Sequence, residues 1–156
     1  MFKPMRRDKK TMEMERVNQL IKDSEYGVMS VLDPNGYPYG VPVNYVSDED
    51  YIYVHCATEG WKLEAIAACE KVSFTIVGRH SVVAEKFSSN FESVVCYGKA
   101  RLIEDETEKM NLLKLFIYKY SPDFIPKGMQ YVGHDHMKTS MIAIKIEHKT
   151  GKTNIE

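Results

Sequence analysis

The chain has 156 residues, room for one domain at roughly 100–200 residues per domain. Its 44% apolar and 28% charged residues are globular proportions and argue against a disordered tail, a fibre or a membrane protein. Lys plus Arg number 21 and Asp plus Glu 22, a formal net charge of −1. The basic excess that drives phosphate-backbone binding is absent, which makes nucleic acid a poor default partner.

No apolar run approaches the roughly 18 residues a membrane helix needs. The N-terminal MFKPMRRDKKTMEMERV is basic, but acidic residues follow at once and no apolar core stands behind it. It therefore reads as neither a signal nor a transit peptide. Residues 1–10 are expected to be a flexible, charged lead-in, with Arg6, Arg7, Lys9 and Lys10 a solvated terminus. Cys56, Cys69 and Cys96 are odd in number and lack C-x-x-C spacing, as for reduced thiols of a cytoplasmic protein. With no repeat or linker, 1–156 reads as a single domain.

In chain order, Thr11 is placed to cap a helix whose apolar face is Met14, Val17, Leu20 and Ile21. Residues 26–32 are strand-like, and Asp33-Pro34-Asn35-Gly36 is a strong turn signal. Residues 37–46 return as a strand; Pro38 and Pro42 cannot donate ladder bonds and confine it to an edge or a bulge. The acidic 47–50 turn leads to strand 51–56. After Gly60, residues Trp61, Leu63, Ala65, Ile66 and Ala68 fit a short helix. Residues 72–78 form another strand, 79–91 a polar loop, and 92–103 a long strand interrupted at Gly98. Asp105-x-x-Glu108 is a capping box before a helix with Met110, Leu113, Phe116, Ile117 and Tyr120 on one face. Ser121-Pro122 stops it, 123–138 lacks a pattern, and 140–148 alternates as a last strand. Hairpins dominate and parallel crossovers are few, which predicts a mainly β fold: an antiparallel barrel with peripheral helices.

The most informative stretch is YGVPVNYVSDEDYIYVHCATEGWKLEAI, a strand, a turn, a strand, a tight turn and a short helix. The first amides of a helix lack intrahelical partners and, with the helix dipole, attract anions. Gly60 permits close approach, Thr58 offers a hydroxyl and Lys62 a positive charge, a plausible cradle for one phosphate. Many strand-to-helix turns share these features and bind nothing.

Five segments in series, GYPYGVPVNYV, IYVHCATEGWKLEAI, KVSFTIVG, FSSNFESVVCYGKARLIED and IKIEHKTGK, carry a resemblance over most of the chain. It resembles the FMN-binding split-barrel superfamily of pyridoxamine 5′-phosphate oxidase, in its branch of small flavoproteins that includes the nitroimidazole-resistance proteins. The resemblance implies a six-stranded antiparallel split barrel and a homodimer with FMN at the subunit interface. It implies that Val41, Pro42, Val43 and Asn44 lie along the ring and ribityl chain, and that His55, Cys56, Ala57 and Thr58 face the flavin from the next strand's end. Gly60, Trp61 and Lys62 match the phosphate-binding triplet, and Ser93 a polar position reaching the flavin from the partner subunit. Relatives carry His or Arg where this chain has Trp61, so a backbone contact is the one implied there. The oxidase's basic C-terminal substrate segment has no counterpart, which points away from pyridoxamine phosphate as substrate.

The implied activity is reduction of a small organic acceptor (a nitroaromatic, a quinone or another flavin), with NADH or NADPH as a possible donor and no side-chain nucleophile. Flavin supplies the electron chemistry while the protein supplies position and electrostatics. The alternative is a split barrel that stores or senses flavin, or holds haem, without turnover. His134-Asp135-His136, with His80 and His148, is a remoter metal reading; H-x-H in a loop is usually solvated. Phe124, Met129 and Tyr131 in 123–138 are expected either to cover the flavin mouth or to belong to an exchanged segment. Cys56 is expected to pack as a small apolar residue.

Overall fold

Antiparallel pairing starts at the first hairpin of the protein, whose computed structural model describes residues 1–155. β1 (Tyr26–Leu32) pairs with β2 (Pro38–Asn44) through a turn closed by Gly36 N–H donating to the Asp33 carbonyl at 2.8 Å. The proline-bearing β2 is an edge strand, as expected. The remaining strands are β3 (Val46–Ser47), β4 (Tyr51–Ala57), β5 (Lys71–Val83), β6 (Ser88–Leu102) and β7 (Thr139–Asn154). They form one antiparallel sheet ordered β2-β1-β5-β6-β7-β4-β3. The sheet curls until β2 lies beside β4 with no ladder joining them, which is the split in the barrel. There are seven strands rather than six; the seventh is the two-residue β3, a short lip on β4.

Alternation along the strands separates two apolar layers. Ile52 and Val54 of β4 and Ile142 and Ile144 of β7 face the barrel interior, with Met29, Phe74, Ile76 and Val94. Tyr53, Met141 and Ala143 face outward, onto α3 (Glu106–Tyr120) and α4 (Ile125–Asp135). α1 (Met14–Asp23) and α2 (Trp61–Ala68) add Val17, Leu20, Ile21, Ala65 and Ile66 to the interior cluster. Asp105 caps α3 as expected, its Oδ2 accepting the Glu108 N–H at 2.9 Å.

Several local expectations are corrected. Thr11 does not cap α1: it forms a bridge with Lys152, and Met12 N–H donates to the Gly151 carbonyl, so the chain stays extended until Glu13. Met14, in the overhanging first turn, is 48% exposed. The lead-in also makes contacts with the rest of the chain. Phe2 stacks on His148 with ring centroids 4.6 Å apart, and Asp8–Lys10 form a 3-10 turn. The 79–91 segment is not a loop: β5 and β6 extend through it as a hairpin arm closed by the 3-10 turn Ala84–Lys86. The arm is open on both sides, so its ladder forms without an apolar alternation to announce it. Residues 123–138 are helical, with α4 seated on α3 so closely that a Cβ at Gly128 would fall 2.3 Å from Ile117 Cγ2. The interruption expected at Gly98 is borne out: β6 runs through it with a bulge, at which the Lys145 carbonyl would sit 2.1 Å from a Cβ.

Candidate functional site

The strand-to-helix turn has the form an anion needs. Gly60 has φ 146° and ψ 172°, a region essentially closed to residues with a side chain. No atom lies within 4 Å of where its Cβ would stand, so the approach is open. The Gly60 carbonyl accepts the N–H groups of Leu63 at 3.1 Å and Glu64 at 3.2 Å, and no side chain caps the helix. The amides of Trp61 and Lys62 are thus left pointing out of the first turn. Trp61 is 68% exposed and touches the barrel only edge-on, at 5.9 Å between its ring and that of Tyr39. Thr58, Glu59 and Gly60 are exposed as well.

The strand residues of the resemblance divide between two faces. On β2, Val41 and Val43 pack against the interior cluster, whereas Pro42 and Asn44 look outward. A contact from Val41 or Val43 to any ligand outside the barrel therefore runs through the backbone of the free edge. On β4, Cys56 turns inward and packs against the interior cluster, while His55 and Ala57 turn outward. Burial pushes the Cys56 thiol pKa up, and the positive charge of Lys62 only partly offsets this. That is the environment of a packing residue, not of a reactive thiolate.

Outward from His55 the structure opens a cavity of about 260 Å³ between β4, α3 and α4. Asn44 and His55 supply polar groups, Leu113, Phe116 and Ile117 an apolar wall, and Tyr131 of α4 the outer side. The His55 ring meets Phe116 edge-on at 4.5 Å, and desolvation lowers its pKa, so the imidazole is neutral at pH 7. Asn44 donates through Nδ2 to the Glu25 carbonyl at 3.0 Å. Tyr120, also lining the cavity, accepts the Tyr45 N–H at 2.9 Å, and the neighbouring Lys119 ammonium donates to the Tyr45 carbonyl at 2.9 Å. These bonds tie α3 to the end of β2. Of the three side chains expected over the mouth, Tyr131 lines the cavity; Phe124 and Met129 do not. The wall residues of α3 were visible in the sequence as an i, i+3, i+4, i+7 stripe, but its partner was not.

Ser93 lies elsewhere. It pairs with Val77 and with Lys152, whereas Ala57 pairs with Thr139, thirteen residues back along β7. At about 3.3 Å per residue that is on the order of 40 Å of strand. Within one chain, Ser93 and the Gly60 turn occupy opposite ends of the sheet. Glu92 beside it is buried and held by Arg16 (Nε to Oε2, 2.6 Å) and Arg79 (Nε to Oε1, 2.6 Å). Those two guanidinium groups hold its carboxyl at about 2, well below the usual carboxylate range. His136 bonds Glu106 through Nδ1, and no three metal-ligating side chains converge among the described residues.

Comparison with known proteins agrees with the fold. The family described as pyridoxamine 5′-phosphate oxidase matches residues 13–153. A solved structure described as a 5-nitroimidazole antibiotic resistance protein from Bacteroides thetaiotaomicron is 26% identical. The match covers 91% of this chain and 85% of that one, with a TM-score of 0.75. The flavocytochrome of Azotobacter vinelandii shares the fold at TM-score 0.81 and 20% identity, covering 98% of this chain and 73% of its own. The FAD- and haem-binding protein of Mycobacterium smegmatis does so at TM-score 0.76 and 16% identity, covering 93% and 73%. No curated protein matches the sequence.

Proposed function

Because this chain belongs to the pyridoxamine 5′-phosphate oxidase family, we propose that it is an FMN-dependent oxidoreductase that reduces a small organic acceptor such as a nitroaromatic, a quinone or another flavin. The observation that carries the reading is the cavity that brings Asn44 and His55 together, five residues before the open turn at Gly60. The turn suits a terminal phosphate: two free amides, a glycine with nothing over it, and Lys62. The cavity suits part of a planar ring system. Its volume is below the 300–1,000 Å³ usual for drug-sized ligands, so a ring seated there stays open on one side.

Bound flavin would supply the redox step, accepting hydride from a nicotinamide nucleotide and passing two electrons to the acceptor. The chain's own residues bind and orient. Lys62 and the first amides of α2 would neutralise the phosphate. Neutral His55, braced by Phe116, can donate one N–H to a ring heteroatom, and the apolar wall of α3 excludes water on that side. The separation of Ser93 from the Gly60 turn supports a homodimer in which each flavin is flanked by both copies.

Two fold neighbours are named for haem as well as flavin, and His55 facing an apolar cavity raises the same question here. An absorption spectrum of the purified protein, with the released chromophore identified by mass, tests both. Flavin bands that bleach on addition of NADH or NADPH are expected. A Soret band, or failure to take up FMN at millimolar supply, would overturn the proposal.

A further inference from the structure

A second site stands apart from the cavity, where the lead-in meets the hairpin arm. The bridge between Thr11 and Lys152 and the bond from Met12 N–H to the Gly151 carbonyl stitch the end of the lead-in to the end of β7. This brings Lys10 and Lys152, remote in sequence, to one aromatic ring. Their ammonium groups lie 5.9 and 5.5 Å from the centroid of Phe91. Beside them a groove of about 590 Å³ is lined by Arg7, Lys10, Phe91, Phe87 and the hydroxyl-bearing Ser88 and Ser89, with no carboxylate in its wall. Of the acids nearby in sequence, Glu92 is committed to Arg16 and Arg79, Asp8 accepts the Lys9 N–H at 2.8 Å, and neither Asp8 nor Glu85 lines the groove. The chain as a whole is almost neutral, so this concentration of positive charge is local.

Phe87 is the second unusual feature of the groove. It is the one non-glycine residue with positive φ (50°) among the described residues, and it is 98% exposed at the arm's turn. A left-handed conformation at a bulky residue costs roughly 1–2 kcal/mol, and an exposed ring forgoes burial. Together they leave a flat aromatic face standing free beside a cationic wall.

From this juxtaposition we propose that the groove binds a nucleoside diphosphate, its phosphates against Arg7 and Lys10, with Lys152 adding positive charge across the Phe91 ring, and its base stacked on Phe87. This site goes beyond the flavin reading and does not rest on it. The same chemistry is offered by a free nucleotide such as ADP and by the ADP half of a nicotinamide dinucleotide. Cations paired with a stacking ring select an aromatic phosphate over inorganic phosphate.

Calorimetric titration of the full chain with ADP, NADPH and inorganic phosphate tests this. ADP is expected to bind once per chain and more weakly as salt rises. Lys10→Ala combined with Lys152→Ala should weaken it at least tenfold, and Phe87→Ala a few-fold. Arg7→Glu, at an exposed position, gives an independent variant expected to lose affinity should the double variant not fold. NADPH binding more tightly than ADP and falling in the same variants would identify a dinucleotide as the occupant; equal or weaker NADPH binding, a free nucleotide. The proposal is overturned if ADP gives no binding at millimolar concentration, if the folded variants bind it as the unaltered chain does, or if inorganic phosphate binds as tightly as ADP.

Discussion

Gly60 is where backbone conformation and ligand chemistry meet. A side chain in its φ, ψ region costs about 1–3 kcal/mol, so Gly60→Ala should lower the melting temperature by several degrees and loosen any phosphate in the turn. A thermal melt with and without added FMN measures both. In the proposed site Lys62 would contribute electrostatically, facing the phosphate. Lys62→Ala should leave the melt of the flavin-free protein unchanged and weaken FMN retention by roughly tenfold to a hundredfold, in line with about 1.5–3 kcal/mol for a hydrogen bond to a charged group. Flavin absorbance that survives exhaustive dialysis of this variant would dismiss the phosphate role. Glu92 carries the clearest pH signature. Its carboxyl is held at about 2 against an ordinary 4.5. Its contribution to stability is therefore fully present above pH 4.5 and is lost as pH falls toward 2. Glu92→Gln should cost about 1–3 kcal/mol at neutral pH and flatten the loss of stability below pH 4.5. An unchanged acid limb in the variant's pH–stability curve would show that Arg16 and Arg79 do not hold it.

At the scale of elements, the cavity exists because α3 and α4 stand on the outer face of β4 and β7. Gly128 sets their closeness, since a Cβ there would strike Ile117. Gly128→Val should pry α4 outward, destabilise the fold by about 1–3 kcal/mol, and weaken flavin binding while leaving the Gly60 turn intact. Titration with FMN against titration with riboflavin separates the two effects, because riboflavin lacks the phosphate and reads the ring site alone. α3, β1, β2 and β4 were legible in the sequence because they carry strong periodic or turn signals: the Asp105 cap, the Asp33–Gly36 turn and the alternation in 51–56. The 123–138 helix was not legible. Gly128, Gly133 and Pro126 weaken its helix propensity, and only packing on α3 decides its conformation. The 79–91 arm was missed for the opposite reason: it is held by ladder bonds and polar side-chain contacts, and these leave no hydrophobic pattern.

At the scale of the whole molecule, a flavin flanked by both copies makes a prediction that a single-chain site does not. Lys62→Ala and Ser93→Ala chains, each weak in FMN as homodimers, should form mixed dimers that recover one intact site of two. Flavin content of the tagged, purified heterodimer measures it, and no recovery would place both residues' roles within one chain or nowhere. Light scattering should give a dimer mass independent of flavin.

The β1–β2 hairpin, the edge position of β2, helix α3 and the strand-to-helix turn at Gly60–Lys62 follow from the sequence itself, because each depends on residues within a few positions of one another. What tertiary structure decided is which side chains share a space. Cys56 and His55 are neighbours in sequence yet face opposite sides of β4, since successive strand residues alternate. Asn44 joins His55 only because the sheet curls until β2 meets β4, and Lys10 joins Lys152 only because the lead-in is pinned to β7. Such meetings depend on long-range closure of the chain, whose cost is repaid by burial of the whole core and leaves no mark in any local run of residues.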